Sequence, residues 1–154
     1  MARAVIVVVL LLALGVPGSC PAATDGEAIG VVRISAGPAT VTRGERVLPA
    51  AVGTKLRAGD IIATGPGGSL GIVLQDDSSL SLGPGSRLVV REFLFSPAEG
   101  KLSLLVRLSR GTLACISGLI GKLAPGSVRF ETPAATIGIR GTRFAVRAGG
   151  PDGR

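Results

Sequence analysis

The sequence contains no His, Trp or Tyr, and its 154 residues include only four Phe and two Cys. Without His, the chain lacks the side chain that titrates near neutral pH and the commonest metal ligand. Without Trp and Tyr, it lacks the rings that usually stack on sugars and nucleobases. Cys115 alternates with Leu113 in an apolar run, so we predict a buried core thiol with no base to activate it. The sequence therefore predicts no catalytic, cofactor-binding or metal-binding residues, no cofactor, and a protein that is not an enzyme.

The formal net charge is +7, and most of the basic residues are arginines. Arginine-rich chains can bind phosphate, so a nucleic-acid partner has to be considered. The basic residues are scattered singly and never form a run, which favours a solvated basic surface instead. We therefore predict no nucleic-acid partner. If the chain is exported, we expect its basic surface to bind an anionic lipid or polymer instead.

The first residues have the features of a secretory signal peptide. Arg3 supplies a positive charge, and Ala4 to Leu14 form an unbroken apolar run that glycine and proline residues then end. Small residues suit cleavage after Ala22 or Ala23. We predict a signal peptide over residues 1–22 and a periplasmic or secreted protein.

Two alternatives stay open at this end of the chain. The uncharged stretch continues to Thr24, which would allow an uncleaved anchor, although the apolar run is short for a membrane span. Cys20 would be the acylated residue of a lipoprotein signal, but Pro17 stands where such signals usually carry a Leu-like residue. Membrane association is expected only if the signal stays uncleaved or Cys20 is lipidated.

From Ala28 onward nearly every segment alternates between apolar and polar residues, which is the pattern of a half-buried strand. Gly-Pro-Gly turns separate the segments, and no window shows a sustained helical period. We predict one all-β domain over residues 28–148, a sandwich or roll of about ten short strands, followed by a disordered tail at 149–154. The inward-facing residues predicted to be buried are Leu104, Val106, Phe130, Ile137 and Phe144.

Asp76 and Asp77 are the only adjacent carboxylates. A calcium loop needs more oxygen ligands than this segment offers. Because Ser78 and Ser79 follow directly and apolar runs flank the segment, we predict a hairpin turn between two strands.

Five segments of the chain form a recognisable pattern when they are taken in order: Leu56 to Gly65 (LRAGDIIATG), Val73 to Leu80 (VLQDDSSL), Leu82 to Leu88 (LGPGSRL), Leu108 to Leu113 (LSRGTL) and Phe130 to Val146 (FETPAATIGIRGTRFAV). This pattern resembles the FecR domain, which occurs in the exported part of regulators of iron-siderophore uptake and in stand-alone envelope proteins. Together the resemblance spans about Gly30 to Val146.

The resemblance implies a jelly-roll-like β-sandwich, an extracytoplasmic binding or signalling role, and no catalytic residues. Gly59 and Asp60 suit a turn whose carboxylate bonds nearby backbone amides. Gly138 and Gly141 suit a close strand crossing or a bulge, and we expect Arg140 between them to bond carbonyls or a carboxylate.

Two departures from the family pattern shape the functional expectation. Only three residues precede the apolar run, so we expect no anti-sigma segment, and the chain stops within ten residues of Val146. The first hypothesis is a binding or sensing module of the bacterial envelope. The alternative is a structural or vestigial, C-terminally truncated envelope protein with no signalling role.

Arg129, Arg143 and Arg147 are the candidate partner contacts. Each alternates with a predicted core residue and should point outward from its strand. If their strands are neighbours, they form a cationic patch beside an unpaired C-terminal edge. The expected partner is an envelope protein or an anionic polymer of unknown identity.

Overall fold

The computed structural model describes residues 26–149, which form twelve strands, a 3-10 turn at Pro97–Glu99 and one short helix, α1, at Leu119–Leu123. The strands are β1 (Ala28–Ala36), β2 (Ala39–Arg43), β3 (Arg46–Pro49), β4 (Lys55–Arg57), β5 (Ile61–Thr64), β6 (Ser69–Leu74), β7 (Ser79–Leu82), β8 (Arg87–Ser96), β9 (Lys101–Ile116), β10 (Val128–Glu131), β11 (Thr136–Gly138) and β12 (Arg143–Ala148).

The strands form one curled sheet in the order β3-β2-β5-β8-β9-β7-β6-β1-β4, with β10, β11 and β12 attached beside β9. Every pairing is antiparallel except that of β10 with β9. The all-β prediction is confirmed, while the jelly-roll detail stays a prediction. The number of strands exceeds the predicted ten because strands such as β4 and β11 have three residues each, too few to show alternation.

β9 runs through both halves of the curled sheet. Its first part pairs with β8 and β10, and its last part pairs with β7 and β12. The inward-facing positions change from even to odd between Leu108 and Leu113, so the strand is irregular there. Gly111 lies in this segment with φ of 92°, and a Cβ on it would stand 2.4 Å from the Cα of Ser86. Only a residue without a side chain fits this crossing.

The core lies inside the curl, and part of its predicted membership is confirmed. Leu104, Val106 and Phe130 are fully buried. Ile137 and Phe144 are only half-buried against the core, so the prediction of burial is wrong for these two. The reason is their position: within residues 26–149, β11 pairs only with β10 and β12 only with β9, so no described strand covers the other flank of either one.

Several predictions about the chain ends lie outside the described residues. These are the signal peptide over residues 1–22, the lipidation of Cys20 and the tail beyond Gly149. Within residues 26–149, no helix is long and apolar enough to cross a membrane.

Candidate binding surface

The three predicted contact residues, Arg129 on β10 and Arg143 and Arg147 on β12, are all exposed. None of their side chains makes a hydrogen bond or salt bridge with another residue of the described part of the chain. Their core-facing neighbours point the other way, since Phe130 is buried and Phe144 packs against the core. The structure therefore gives these arginines the outward orientation that strand alternation predicts.

The three arginines lie on two different strands, which pair with different parts of β9. Arg129 pairs with Leu105, whereas Arg147 pairs with Thr112, seven residues further along β9. At about 3.3 Å per residue this is roughly 23 Å of strand. The rings of Phe130 and Phe144 meet inside the curl, with centroids 4.4 Å apart at 67°. Arg129 and Arg143 each directly precede one of these two rings in the chain and are exposed on the outer surface.

Arg143 and Arg147 share a different setting, the outer side of β12. They lie four residues apart on one strand, so they point to the same face, about 13 Å from each other along the chain. Among the described residues β12 pairs only with β9, which leaves its second edge without a hydrogen-bonded neighbour. The backbone groups along that edge are available to another extended segment.

Charge is distributed unevenly between two regions of the chain. Residues 26–99 contain seven basic and seven acidic residues, whereas residues 100–149 contain eight basic residues and one acidic residue, Glu131. The whole excess of positive charge in the described part of the chain thus belongs to β9 through β12 and their connections. A surface built from these elements attracts anions.

Asp60 shows how a family motif contributes to the fold. Its side chain is almost fully buried and receives two hydrogen bonds from Arg43, from Nε at 2.9 Å and Nη2 at 2.7 Å. The backbone N–H of Arg57 also donates to Asp60 Oδ2, at 2.9 Å. This last bond is the carboxylate-to-amide contact that the sequence predicts. Asp60 therefore fixes the turn between β4 and β5, and its role is structural.

The Gly-Pro-Gly-Ser turn also has a structural role. The buried Ser86 donates its hydroxyl to Gly83 O at 2.8 Å, and its Oγ accepts the N–H of Thr112 at 3.0 Å. Thr64 Oγ1 accepts the Ser86 N–H at 2.9 Å and donates to Gly83 O at 2.7 Å. These bonds join the turn before β8 to β5 and β9, close to Gly111. Through these bonds, the buried hydroxyl groups of Ser86 and Thr64 have hydrogen-bond partners.

Asp76 occupies the predicted hairpin turn, but its side chain has a role that the sequence does not reveal. The carboxylate is fully buried and accepts hydrogen bonds from the N–H and hydroxyl of Ser78, at 3.1 and 2.7 Å. It also accepts the N–H of Ile120, and its carbonyl accepts the N–H of Leu119 at 2.7 Å. The turn therefore holds the start of α1. No group of three or more His, Cys, Asp or Glu side chains in the described residues is arranged to hold a metal ion.

Arg140 does not have the role that we expected from its motif. It is exposed, and within residues 26–149 it makes no hydrogen bond or salt bridge. The close approach expected at the neighbouring glycines is also not seen, because a Cβ on Gly138 or Gly141 would have no neighbour within 4 Å. The expected structural role is wrong because the segment lies on the surface, beyond the short β10–β11 pairing.

A cleft of about 570 Å³ opens between the start of β1, the β4–β5 turn and the end of β8. Ile29, Phe93 and Phe95 give it apolar walls, and the Arg43–Asp60 pair lines it as well. Its volume falls in the range of small-ligand sites. Its two basic side chains, however, are matched by two acidic ones, so the cleft is not where positive charge accumulates.

Cys115 is the buried core residue that the sequence predicts. Burial raises the pKa of its thiol from 9.0 to about 12, and the negative charge of Asp76 adds to the shift. A thiol that stays protonated at neutral pH is a poor nucleophile. Cys115 is thus part of the core and not of a reactive site.

Comparison with known proteins gives one match. A family model described as FecR protein matches residues 60–154. The matched span contains four of the five segments that carry the resemblance, and it begins inside the first of them. No curated protein and no solved structure matches the chain.

Proposed function

The chain belongs to the FecR protein family, and from this premise we propose that it is an exported, non-enzymatic binding or sensing module of the bacterial cell envelope. The family is regulatory and envelope-associated. The observation that supports a binding role most directly is β12, which has one edge without a partner strand among the described residues and carries Arg143 and Arg147 on its exposed face. The proposed partner is an envelope protein or anionic polymer with acidic groups.

An edge strand of this kind can bind an extended segment of a partner by adding it to the sheet. Main-chain hydrogen bonds then provide affinity, and side chains at alternate positions provide specificity. In β12 those alternate positions are arginines, so a segment with Asp or Glu at matching positions would form cross-strand ion pairs.

The same arginines disfavour pairing of β12 with a second copy of itself. In the antiparallel register centred on Ala145, Arg143 of one copy would stand opposite Arg147 of the other. Like charges directly opposite each other destabilise a strand pair. The edge is thus protected against self-association while it remains open to an acidic partner.

The test is capture of envelope components by the wild type and by two variants of unchanged stability. Because Arg129 lies on β10 whereas Arg143 and Arg147 lie on β12, Arg143→Ser/Arg147→Ser and Arg129→Ser are compared instead of one triple variant. We expect the double variant to lose capture and the Arg129 variant to keep it, with capture by the wild type weakening as salt is raised. Equal, salt-insensitive capture by all three proteins would contradict a role for β12.

Export is tested by the intact mass of the protein recovered from the envelope. Loss of residues 1–22 supports simple signal cleavage. A full-length mass would indicate an uncleaved anchor, and a diacylglyceryl adduct would indicate lipidation of Cys20.

The second candidate function is that of a structural or vestigial envelope protein with no signalling role. The short edge strands after β9 favour this alternative, because they leave the end of the sheet only partly covered. A folded protein that accumulates in the envelope supports a binding module, whereas an undetectable product supports a vestigial one.

A further inference from the structure

Three large apolar side chains lie exposed close together in the chain, where β9 ends and α1 begins. Ile116 is 47% exposed, Leu119 38% and Leu123 57%. They are three of the seven large hydrophobic side chains exposed among the described residues. Leu119 and Leu123 are four residues apart in α1 and share one side of it, while Ile120 turns inward and is fully buried. We call these three side chains the apolar patch.

The fold holds the apolar patch in place. The backbone N–H of Leu119 donates to Asp76 O at 2.7 Å, and the N–H of Gly118 donates to the buried Ser78 Oγ at 2.9 Å. Ile116 belongs to a strand that is paired on both sides, with Ser79 and with Arg143. The patch is therefore presented on an ordered surface.

Basic side chains adjoin this patch. Arg143 is the register partner of Ile116, and both side chains are exposed. Ser117 ties the segment before Arg143 to the end of β9, since its N–H donates to Thr142 O at 2.9 Å and its hydroxyl to Gly141 O at 2.8 Å. This places the exposed Arg140 nearby, next to Gly141.

Lys122 adds a third cation, on α1 itself, where it lies between the two exposed leucines in sequence. Lys122, Arg140 and Arg143 are exposed, and none makes a salt bridge within the described part of the chain. We call them the basic rim. Glu131, the one acidic residue of this region, pairs in register with Arg107, nine residues before Ile116 on β9. The exposed Asp77 is a second acidic residue close to the patch, since a Cβ on Gly118 would stand 2.6 Å from its carbonyl carbon. Asp77 also lines a cleft that Arg33 and Lys55 line as well, so basic residues share its surroundings.

We propose that the apolar patch and the basic rim bind the surface of an anionic phospholipid bilayer. Such an interface has two layers, headgroup phosphates above and acyl chains below, and an apolar centre with a cationic rim is complementary to both. A second copy of this chain is a poor occupant, because its own rim would bring like charges together. The folded domain thereby gains a membrane contact that is independent of residues 1–22.

The experiment is co-sedimentation with vesicles of phosphatidylcholine alone and with vesicles containing equal amounts of phosphatidylcholine and phosphatidylglycerol. The protein is purified in its exported form and its intact mass is recorded, so that all variants are compared in one processed state. The patch variant is Leu119→Ser/Leu123→Ser, and the rim variant is Lys122→Ser/Arg140→Ser. Arg143 belongs both to the rim and to the proposed β12 contact, so it stays intact in these variants together with Arg147. A loss of vesicle binding in either variant therefore does not come from a loss of the β12 contact.

Matched controls come from exposed residues elsewhere in the fold. Val47 and Val52 are 65% and 64% exposed, so Val47→Ser/Val52→Ser controls for the patch variant. Arg33→Ser/Arg46→Ser removes two exposed charges from residues 26–99, where basic and acidic residues are equal in number, and it controls for the rim variant. Unfolding midpoints of all variants establish that each is folded before binding is compared.

We expect the wild type to prefer the anionic vesicles. The rim variant should bind about 25-fold more weakly, roughly fivefold for each charge removed at the membrane surface. The patch variant should lose about tenfold or more, since its apolar groups no longer enter the interface. The control pairs should stay within about twofold of the wild type.

Three results would overturn the proposal. One is equal binding to both kinds of vesicle, or to neither. Another is full binding by the patch variant, which would leave only non-specific attraction between charges. The third is a loss in the control pairs as large as in the patch and rim variants. Should the patch variant not fold, the rim variant and its control decide the question alone.

Discussion

Residues 26–99 and residues 100–149 carry similar numbers of basic side chains, seven and eight, but they differ in what surrounds them. The first region contains seven acidic residues and five of the six buried polar side chains, including Asp60 and Asp76. The second contains one acidic residue and one buried polar side chain, Ser117. Buried polar side chains thus stabilise the fold mainly in residues 26–99, whereas the basic side chains of residues 100–149 are exposed to solvent.

The two regions nevertheless share one core. A substitution of Phe130 tests how strongly residues 100–149 depend on that core. Phe130→Ala should lower the free energy of unfolding by about 3–5 kcal/mol, because the ring is fully buried. Phe144→Ala should cost clearly less, since its ring is half-buried on an edge strand. Urea unfolding of both variants measures the difference. Equal losses would mean that β12 is as deeply covered as β10.

We expect the next largest loss of stability from a substitution of Gly111, which lies where β9 passes from one half of the sheet to the other. Gly111→Ala should cost roughly 2–4 kcal/mol, from the unfavourable positive φ and from collision with the Ser86 backbone. Gly126→Ala is the matched control, because Gly126 has φ of 95° but nothing within 4 Å of an added Cβ. Its cost should be about 1–2 kcal/mol, from φ alone. A control that costs as much as Gly111→Ala would show that β9 relaxes around the added methyl group.

We expect the buried thiol of Cys115 to make a smaller, pH-dependent contribution to the free energy of unfolding. Its pKa is raised from 9.0 to about 12 in the folded protein, so the folded state keeps a proton that the unfolded state loses above pH 9. This contribution to stability is complete below pH 9 and is lost progressively as the pH rises from 9 to about 12. Unfolding free energies of the wild type should therefore fall more steeply over this range than those of Cys115→Ala. Parallel curves for the two proteins would contradict a buried, protonated thiol.

Local patterns predicted much of this fold. Alternation in the sequence identified the buried faces around Leu104 and Phe130, and the turn at Asp60 has the carboxylate-to-amide bond expected of it. These features depend on residues within a few positions of each other, which is why a single sequence reveals them.

What the sequence could not predict depends on residues that are distant along the chain. Asp76 holds the start of α1 through Ile120, 44 residues away, and nothing in the local pattern of either segment indicates the pairing. The contact between the rings of Phe130 and Phe144 depends on how β10 and β12 are both placed against β9, which neither strand's own pattern indicates. Half-burial at Ile137 likewise requires knowing that β11 is an edge strand.

The comparison of unfolding free energies for Arg43→Ser and Arg143→Ser/Arg147→Ser tests the contrast between the two regions most directly. Arg43→Ser removes a guanidinium group that donates two hydrogen bonds to the almost fully buried carboxylate of Asp60, so we predict a loss of about 2–4 kcal/mol. The double variant removes two exposed guanidinium groups that make no bond within the described residues, and it should change stability by no more than about 0.5 kcal/mol. Similar losses in both proteins would contradict the account, because the arginines of β12 would then stabilise the fold instead of serving as a contact surface.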